Sequence, residues 1–247
     1  GVPTIELLSP SLINKIAAGE VIERPASVVK EMLENSVDAG ATRIELTVEG
    51  GGTELIRIAD NGCGIAKDQL ALAVSPHATS KLQSADDLFD IRTLGFRGEA
   101  LASMAEISHM TIRSRPADCE SGAELVIKGG EWSEAIDCAA PVGTTIEIRH
   151  LFFNTPVRKK FLKAPQTEMG HTLEAFTRIA LAFPHVHMIL QSSGRTVYDL
   201  SPTSRLPERI DAFFGPEVAD RLIPIDNADS GLRLHGYVVD PAVSRSN

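Results

Sequence analysis

The chain has 247 residues, enough for one or two domains, and its 43% hydrophobic and 23% charged residues are typical of a globular protein. No run approaches the ~18 consecutive apolar residues of a membrane span, and the N-terminal residues lack the basic-then-apolar order of a secretory signal. The net charge of −9 excludes a globally basic surface, so we expect any nucleic-acid contact to be local.

The first third of the chain predicts one helix and two strands. A helix is expected at 25–39, because Pro25 suits a first helical position and Gly40 suits the left-handed residue after the last turn. Two segments that alternate apolar with polar residues, 42–48 and 54–60, predict strands with one covered face.

The middle of the chain predicts a long irregular stretch followed by further strands and helices. The stretch is punctuated by glycine and runs over 62–98, and a helix begins near its end. Further elements are expected as strands at 107–113, 123–128, 144–149 and 186–191 and as a helix at 166–182. Strands outnumber helices and do not alternate with them as βαβ units. The expected fold class is therefore α+β, with a mixed or antiparallel sheet.

A domain boundary is expected at 201–208, where SPTSRLPE is rich in proline and serine. Residues 1–200 would form the first domain. The segment 209–247 contains a strand-like LRLHGYVVD, but fewer than about 40 residues seldom fold alone. This tail is expected either to dock on the first domain or to open a truncated second domain, and truncation is favoured.

The first predicted helix carries a polar stripe. Glu31, Asn35 and Asp38 lie at i, i+4 and i+7 and share one face. The apolar Val29, Leu33 and Val37 lie roughly opposite and can pack on the sheet. A carboxylate and a carboxamide oxygen suit Mg²⁺, which also takes substrate phosphates, and a carboxylate one turn away can orient a water for attack. The alternative is that the stripe is only the solvated side of an amphipathic helix.

The second predicted strand ends in an acidic residue on its covered side. Asp60 shares the parity of Ile56 and Ile58, and a buried carboxylate is costly unless a donor meets it. An exocyclic amine such as N6 of adenine would satisfy it, and Gly62 and Gly64 would let the backbone approach a flat base. The alternative is a strand that simply ends in an Asp-Asn-Gly turn.

A third candidate feature is TLGFRGEALASM, at 93–104. Gly95 and Gly98 bracket a segment that leads into a helix, whose first N–H groups suit phosphate oxygens, and Arg97 and Lys81 would add positive charge. The chain contains neither GxxxxGK(S/T) nor GxGxxG, so this is not a Walker loop. The alternative is a glycine-rich surface loop before an ordinary helix.

Three further features are less specific. Gly143, Thr144 and Thr145 open a strand, where the threonines reflect either β propensity or a hydroxyl that bonds a base or a carboxylate. The basic cluster VRKKFLK, at 157–163, is more typical of a solvated helix surface than of a phosphate site. The three cysteines form neither an even-numbered framework nor a CxxC pair, which argues against disulfides and structural zinc and favours a reducing, intracellular compartment.

In this order and spacing, the motifs resemble those of the GHKL, or Bergerat-fold, ATPases. That superfamily includes DNA gyrase, the heat-shock chaperones, histidine kinases and the MutL mismatch-repair proteins. The resemblance is closest to MutL and covers essentially residues 4–200 and, more weakly, the tail. It rests on the segments IAAGEVIERPASVVKE (16–31), NSVDAGATRI (35–44), DNGCGI (60–65), HATSK (77–81), LGFRGEAL (94–101) and LFFNTPVRKKFL (151–162).

The resemblance implies a GHKL-type sandwich, with the nucleotide bound between a sheet and the helices that pack over one of its faces. Glu31 would activate the attacking water, Asn35 would hold Mg²⁺, and Asp60 would receive the adenine amino group. The segment 74–97 resembles the family's lid. The other ATP-binding residues that the resemblance implies are Asp38, Ala39, Gly64, Ile65, Thr79, Ser80, Lys81, Leu94, Gly95, Phe96, Arg97, Gly98, Glu99, Ala100, Leu101 and Thr144.

In function, the resemblance implies an Mg²⁺-dependent ATPase that works as a conformational and dimerisation switch and couples mismatch recognition to downstream repair. The implied cofactors are ATP and Mg²⁺. The implied partners are a MutS-type mismatch-recognition protein, DNA, a second copy of the chain on ATP binding, and a downstream repair nuclease or helicase. A cytoplasmic location without membrane contact is expected.

The resemblance also bears on the tail, which would begin a second domain of the ribosomal-protein-S5-like type. In the family that domain contributes a lysine to the γ-phosphate. This chain ends at SRSN before such a residue, so hydrolysis is expected to be weak.

Two alternative functions stay open. One is a nucleotide-gated module that binds proteins and DNA with little catalysis, and the other is a gyrase-like relative.

Overall fold

The computed structural model of the chain describes residues 6–76, 99–229 and 232–240. In these ranges the helices are α1 (Pro10–Val21), α2 (Pro25–Asp38), α3 (Lys67–Val74), α4 (Ala100–Glu106), α5 (Pro156–Lys160), α6 (Pro165–Ala182), α7 (Leu206–Phe214) and α8 (Pro216–Ala219). The strands are β1 (Arg43–Glu49), β2 (Leu55–Asp60), β3 (His109–Arg115), β4 (Gly122–Lys128), β5 (Glu131–Trp132), β6 (Ile136–Cys138), β7 (Gly143–Arg149), β8 (His187–Ser192), β9 (Arg195–Leu200), β10 (Leu222–Asp229) and β11 (Leu232–Val239). A 3-10 turn, Gly50–Gly52, joins β1 to β2.

The sequence fixes both ends of α2. Pro25 lies in the first turn, and Gly40 adopts the left-handed conformation beyond the last turn, with a φ of 74°. Val29 and Leu33 are buried on the inner side of the helix. The predicted helix at 25–39 is therefore confirmed, and its apolar residues face the core as expected.

A mixed sheet of nine strands forms the base of the described fold. Its order is β5-β4-β3-β7-β2-β1-β8-β9, and β6 also pairs with β4. In the described part of the chain, β1 and β8 run parallel and the other neighbours in this sheet run antiparallel. The predicted α+β class, with a mixed and largely antiparallel sheet, is confirmed.

Alternation along the strands separates a buried face of this sheet from a charged face. Ile44, Leu46 and Val48 of β1 are buried, and β2, β3, β4 and β7 show the same alternation. The other face carries ion pairs between neighbouring strands, such as Arg57 with Glu147 at 3.5 Å. Exposed pairs of this kind contribute little to stability, so the apolar face supplies most of the driving force for folding.

Helices cover the apolar face of the sheet. α2, α3 and α4 contact its strands, while α6 packs on α2 and α1 packs on α4. Met32, Met104 and Phe176 bring a large side chain from α2, α4 and α6 into one core. Full burial of such a side chain contributes about 1.5–3 kcal/mol.

Two helices in the first third of the chain were not predicted. α3 lies inside the stretch expected to be irregular, and its Leu70 and Val74, four residues apart, are buried. Its eight residues are too few for a helical period to stand out between flanking glycines. α1 forms in the N-terminal arm, where the Ser9 side chain accepts a hydrogen bond from the backbone N–H of Leu12.

The C-terminal elements begin earlier than predicted. α7 starts at Leu206, inside the expected linker, and its Arg209 is 2% exposed. The hydrogen-bond acceptors of this guanidinium are the backbone carbonyls of Ala180, Pro184, Val186 and Ser201. Within the described ranges, β10 and β11 pair with each other and not with the larger sheet. The division into 1–200, 201–208 and 209–247 stays a prediction.

In the part of the chain that the structure describes, no helix is both long enough and apolar enough to cross a membrane.

The basic cluster on α5 is placed as predicted for a solvated helix surface. Lys159 and Lys160 are exposed, and Arg158 is half-buried.

Candidate functional site

The polar stripe on α2 lies at the border of the core. Glu31 and Asn35 are half-buried and Asp38 is exposed, so the alternative of a purely solvated helix side describes Asp38 but not the other two. Beside them Glu34 is buried and pairs with Lys30 at 3.7 Å. Burial raises the pKa of Glu34, and the charge of Lys30 opposes that shift. Sequence reasoning missed Glu34.

Asp60 ends β2 as predicted, and the protein itself supplies donors to both oxygens of its carboxylate. The Ser36 hydroxyl donates to Oδ2 at 2.7 Å, and the Gly62 backbone N–H donates to Oδ1 at 2.9 Å. The second bond closes the Asp-Asn-Gly turn of the alternative interpretation, while contact between Asp60 and an adenine amino group stays a prediction. Burial raises the pKa of Asp60, while the hydrogen bonds from Ser36, Gly62 and Thr144 work against it.

A row of polar residues crosses three strands at this end of the sheet. Asp60 on β2 lies opposite Thr144 on β7, and Thr144 lies opposite Ser114 on β3. The Ser114 hydroxyl lies 2.7 Å from the Thr144 hydroxyl and 3.0 Å from the Gly143 carbonyl oxygen, to which it donates. It also accepts the backbone N–H of Ile65 at 2.7 Å. The structure therefore brings together three predicted residues, Asp60, Ile65 and Thr144.

Sequence reasoning missed the two serines of this site. Ser36 is 2% exposed and Ser114 is 1% exposed. A signal for Ser114 was present, because it follows Met110 and Ile112 at the buried parity of its strand, as Asp60 follows Ile56 and Ile58 in β2. Ser36 lies mid-helix, and no comparable pattern marks it.

Three glycines hold the backbone segments of the site close together. A Cβ on Gly62 would meet the Cβ of Ala39 at 2.8 Å, and one on Gly64, whose φ is 72°, would meet a backbone carbonyl oxygen of β3 at 2.3 Å. A Cβ on Gly143, with a φ of 120°, would lie 2.0 Å from the carbonyl oxygen of Asp60. The structure thus gives a packing reason for Gly62 and Gly64, and the predicted reason, close approach of the backbone to a flat base, stays a prediction. Contact between Gly64 and a nucleotide stays a prediction.

The helix after the glycine-bracketed segment is present as α4. Glu99 stands at its N-cap, Ala100 is buried, and the half-buried Leu101 packs against the core. Several predicted lid and phosphate-binding residues lie outside the described ranges: Thr79, Ser80, Lys81, Leu94, Gly95, Phe96, Arg97 and Gly98. The role of α4 and of these residues toward phosphate stays a prediction.

The residues on α2 fit a magnesium ion that is bound largely through its nucleotide. Among the described residues, no group of three or more His, Cys, Asp or Glu side chains is placed to hold a metal ion. Mg²⁺ usually keeps several waters and takes phosphate oxygens together with one or two protein oxygens. The half-buried carboxamide of Asn35, with Glu31 one turn away on the same face, fits this mode.

Sequence comparisons place the chain among known proteins. A family model described as histidine kinase-, DNA gyrase B- and HSP90-like ATPase matches residues 22–146, which include Ser36, Asp60, Ser114 and Thr144. The DNA mismatch repair proteins MutL of Syntrophotalea carbinolica and Xanthomonas oryzae pv. oryzae are 47% and 50% identical to the chain over 243 and 244 residues. Each match covers 98% of this chain and 39% of the relative, so the chain spans about two fifths of the length of these curated proteins.

Solved structures agree with these relatives. An Aquifex aeolicus structure, described as a MutL ATPase domain complexed with ADP, is 33% identical, with a TM-score of 0.69, and the match covers 92% of this chain and 79% of that one. The N-terminal domain of a DNA repair protein is 26% identical, with a TM-score of 0.75, and that match covers 91% and 70%. The predicted membership is confirmed: the chain belongs to the MutL family of DNA mismatch-repair proteins and carries its ATPase domain, of the histidine kinase, gyrase B and HSP90 type.

Proposed function

We propose that this chain binds ATP together with Mg²⁺ and hydrolyses it, and that the nucleotide acts as a conformational switch within a MutL-type mismatch-repair protein. The observation that carries the proposal is the half-buried carboxylate of Asp60, held by Ser36 and Gly62 at the end of a row of polar groups. The ADP in the Aquifex aeolicus relative supports an adenine nucleotide as the ligand.

Asp60 would receive the amino group of adenine. The two oxygens of an ionised carboxylate offer about four acceptor sites, and the hydrogen bonds from Ser36, Gly62 and Thr144 leave about one of them open. An exocyclic amine would donate to a remaining site and so compensate for the partial burial of the charge. Thr144 and Ile65, which Ser114 connects, would line the same base site.

Asn35 and Glu31 would serve the phosphate end of the nucleotide. The Asn35 side-chain oxygen would hold Mg²⁺, which when bound neutralises negative charge on the phosphates. Glu31 would accept a proton from a water molecule as the water oxygen bonds to the γ-phosphorus. The bond between that phosphorus and the bridging oxygen breaks, and ADP and inorganic phosphate leave. Asp38, Ala39 and the backbone N–H groups before α4 would complete this part of the site.

The switch would act through the N-terminal arm and through partners. Leu12, Ile13 and Ile16 of α1 are exposed apolar residues, and clusters of such residues favour association. Bound ATP would order the arm and promote a homodimer, and hydrolysis would reset it. A MutS-type protein, DNA and a downstream nuclease or helicase would then respond to the nucleotide state.

The proposal is tested first by binding. Titration of the purified chain with ATP and MgCl₂ in a calorimeter is expected to give saturable binding, which weakens when Mg²⁺ is removed by chelation. Absence of binding up to millimolar ATP, with or without Mg²⁺, would refute the assigned function.

The second test separates binding from catalysis. Replacing Glu31 with alanine removes the proposed proton acceptor, so phosphate release at saturating ATP is expected to fall by about 100-fold or more. ATP affinity is expected to change little. Glu174→Ala removes an exposed carboxylate from α6 and is the matched control, which should keep its turnover.

Each remaining outcome of this test has its own meaning. Unchanged turnover in Glu31→Ala excludes that residue as the base. ATP binding without measurable phosphate release by the unmodified chain favours the nucleotide-gated module with little catalysis.

A further inference from the structure

We propose that Ser36 and Ser114 are positioning residues for nucleobase recognition: they hold Asp60 and Thr144 in the one arrangement that favours adenine over purines with an oxygen at position 6. The inference rests on the proposed function, because it assumes that an adenine nucleotide occupies this end of the sheet. Neither serine is a catalytic residue, since each acts through the group that it holds.

Ser36 fixes the orientation of the Asp60 carboxylate. Its hydroxyl donates to Oδ2 at 2.7 Å, while the Gly62 N–H donates to Oδ1 at 2.9 Å. The two donors come from different elements, α2 and the turn after β2. The carboxylate plane therefore cannot rotate without breaking one of these bonds, and an off-rotamer side chain adds a cost of its own.

A fixed carboxylate discriminates between purines. An ionised carboxylate only accepts hydrogen bonds, so it suits the 6-amino group of adenine and opposes the 6-oxo group of guanine or hypoxanthine. A carboxylate that is free to swing reaches the N1–H of those bases instead and loses the distinction. Discrimination by a polar site depends on leaving the wrong ligand with unpaired groups, which requires that the site cannot rearrange.

Ser114 performs the corresponding task for Thr144. It accepts the Ile65 N–H at 2.7 Å, donates to the Gly143 carbonyl oxygen at 3.0 Å, and contacts the Thr144 hydroxyl at 2.7 Å. One buried hydroxyl thus connects the loop after β2, the first residue of β7 and the threonine side chain. Removal of that hydroxyl leaves the Ile65 N–H without this partner and frees the Thr144 side chain to turn.

A buried serine often only satisfies its own backbone, and the chain contains one such serine for comparison. Ser108 is fully buried, and its hydroxyl donates to the Met104 carbonyl oxygen at 2.5 Å within the same helical turn. Ser108→Ala therefore removes the same atom from an equally buried place outside the row, and it reports the structural effect alone.

The experiment compares affinities for ATP and for inosine triphosphate, which differ at position 6 and lack a 2-amino group. Both are measured by calorimetry for the unmodified chain, Ser36→Ala, Ser114→Ala and Ser108→Ala, together with urea unfolding to establish that each variant is folded. Ser36→Ala and Ser114→Ala are expected to lower ATP affinity by about tenfold, as expected for the loss of one buried hydrogen bond. The ratio of the affinity for ATP to the affinity for inosine triphosphate should fall in the same two variants, and both quantities should stay unchanged in Ser108→Ala.

The outcomes separate this inference from the function on which it rests. An unmodified chain that binds no ATP refutes the function itself. An unmodified chain that prefers ATP, with the same preference in Ser36→Ala and Ser114→Ala, overturns the positioning role and leaves the function intact. An equal loss of preference in Ser108→Ala also overturns it, because the effect would then be structural.

Discussion

At the scale of single residues, burial of Asp60 opposes its ionisation, whereas the proposed contact with adenine requires the ionised form. Its carboxylate is half-buried, and burial raises its pKa above the ordinary value despite the donors around it. A raised folded-state pKa means that the folded chain holds this proton more tightly than the unfolded chain. The protonated Asp60 carboxyl therefore contributes to the free energy of unfolding at low pH. This contribution is lost as the pH rises through the folded-state pKa. At neutral pH the ionised group therefore costs stability in the absence of ligand.

Asp60→Asn is accordingly expected to raise the free energy of unfolding of the nucleotide-free chain at pH 7. This increase in unfolding free energy should be smaller near pH 4. The Asp60 carboxyl of the unfolded chain has a pKa of about 3.9, so at that pH it also takes up a proton. ATP affinity should fall by at least about tenfold, because an amide nitrogen cannot accept the amino group. Urea unfolding at both pH values and calorimetric titration check the two parts. Retained ATP affinity would contradict the assigned role of Asp60.

The residue scale also shows what the sequence reveals about the site. Asp60 could be predicted because an acidic residue at the buried parity of a strand demands a partner. Glu31 and Asn35 could be predicted because helical spacing puts them on one face. Ser36 could not, because its partner Asp60 is 24 positions away and no local pattern joins them.

At the scale of elements, one buried cation helps to hold α7 beside the end of α6 and the segments that flank β8 and β9. The Arg209 guanidinium donates to carbonyl oxygens at the end of α6, in the connection to β8 and just after β9. Burial lowers the pKa of Arg209, but a guanidinium stays protonated in proteins. Carbonyl groups at a helix C-terminus carry partial negative charge, so the acceptor at Ala180 suits a cation.

Arg209→Met is expected to lower the free energy of unfolding by about 3 kcal/mol, because it leaves several buried carbonyl groups without donors. Arg209→Lys should lose less, since an ammonium group retains the charge and some of the bonds. Urea denaturation measures both changes. Arg205→Met, at an exposed arginine just before α7, is the control. Equal stability of Arg209→Met and Arg205→Met would show that the buried contacts do not hold α7.

Elements with a strong period could be predicted, and short or context-dependent elements could not. The strands expected at 123–128 and 144–149 match β4 and β7 to within a residue, because their alternation reflects one buried face. α7 was missed because its helical stripe begins among the prolines and serines that suggested a linker. Its key contact, Arg209, is a charged residue that sequence reasoning places in solvent.

At the scale of the whole molecule, the unfolding equilibrium should respond to acid through His109. This half-buried imidazole packs against His150 and Phe153, with ring centroids at 5.0 and 4.7 Å. Burial lowers the pKa of His109, and electrostatic interactions with His150 and Lys128 add to the effect. Its unfolded pKa is about 6.5, so the unfolded chain takes up this proton first and stability is lost as the pH falls from there through the folded-state value.

When the pH falls from 7.5 to 5.5, the free energy of unfolding should therefore decrease less in His109→Asn than in the unmodified chain. These pH values lie about one unit on either side of the unfolded-state pKa. Urea unfolding at the two pH values measures the difference, with His171→Asn, on α6, as the control. A pH response that is the same in His109→Asn and in the unmodified chain would exclude this imidazole as a source of acid sensitivity.

The architecture as a whole could be predicted as α+β from the count and order of its elements, but the strand order could not. Nothing in the local pattern of β7 indicates that it lies between β2 and β3. That order follows from packing between segments far apart in the chain. Alternation within one strand indicates which face of the strand is buried, but it does not indicate which strands are its neighbours. The polar row exists only because these three strands are neighbours. For the same reason it could not be predicted from the sequence.

The central position of β7 also matters while the protein is being made. The ribosome produces β2 and β3 well before β7, yet these two strands become joined only through it. A nascent chain that has reached β4 or β6 holds Asp60 and Ser114 without the threonine that lies between them. Under the proposed function, recognition of ATP by this site would begin only after translation has passed Arg149, so a nucleotide would stabilise completed domains but not shorter translation intermediates.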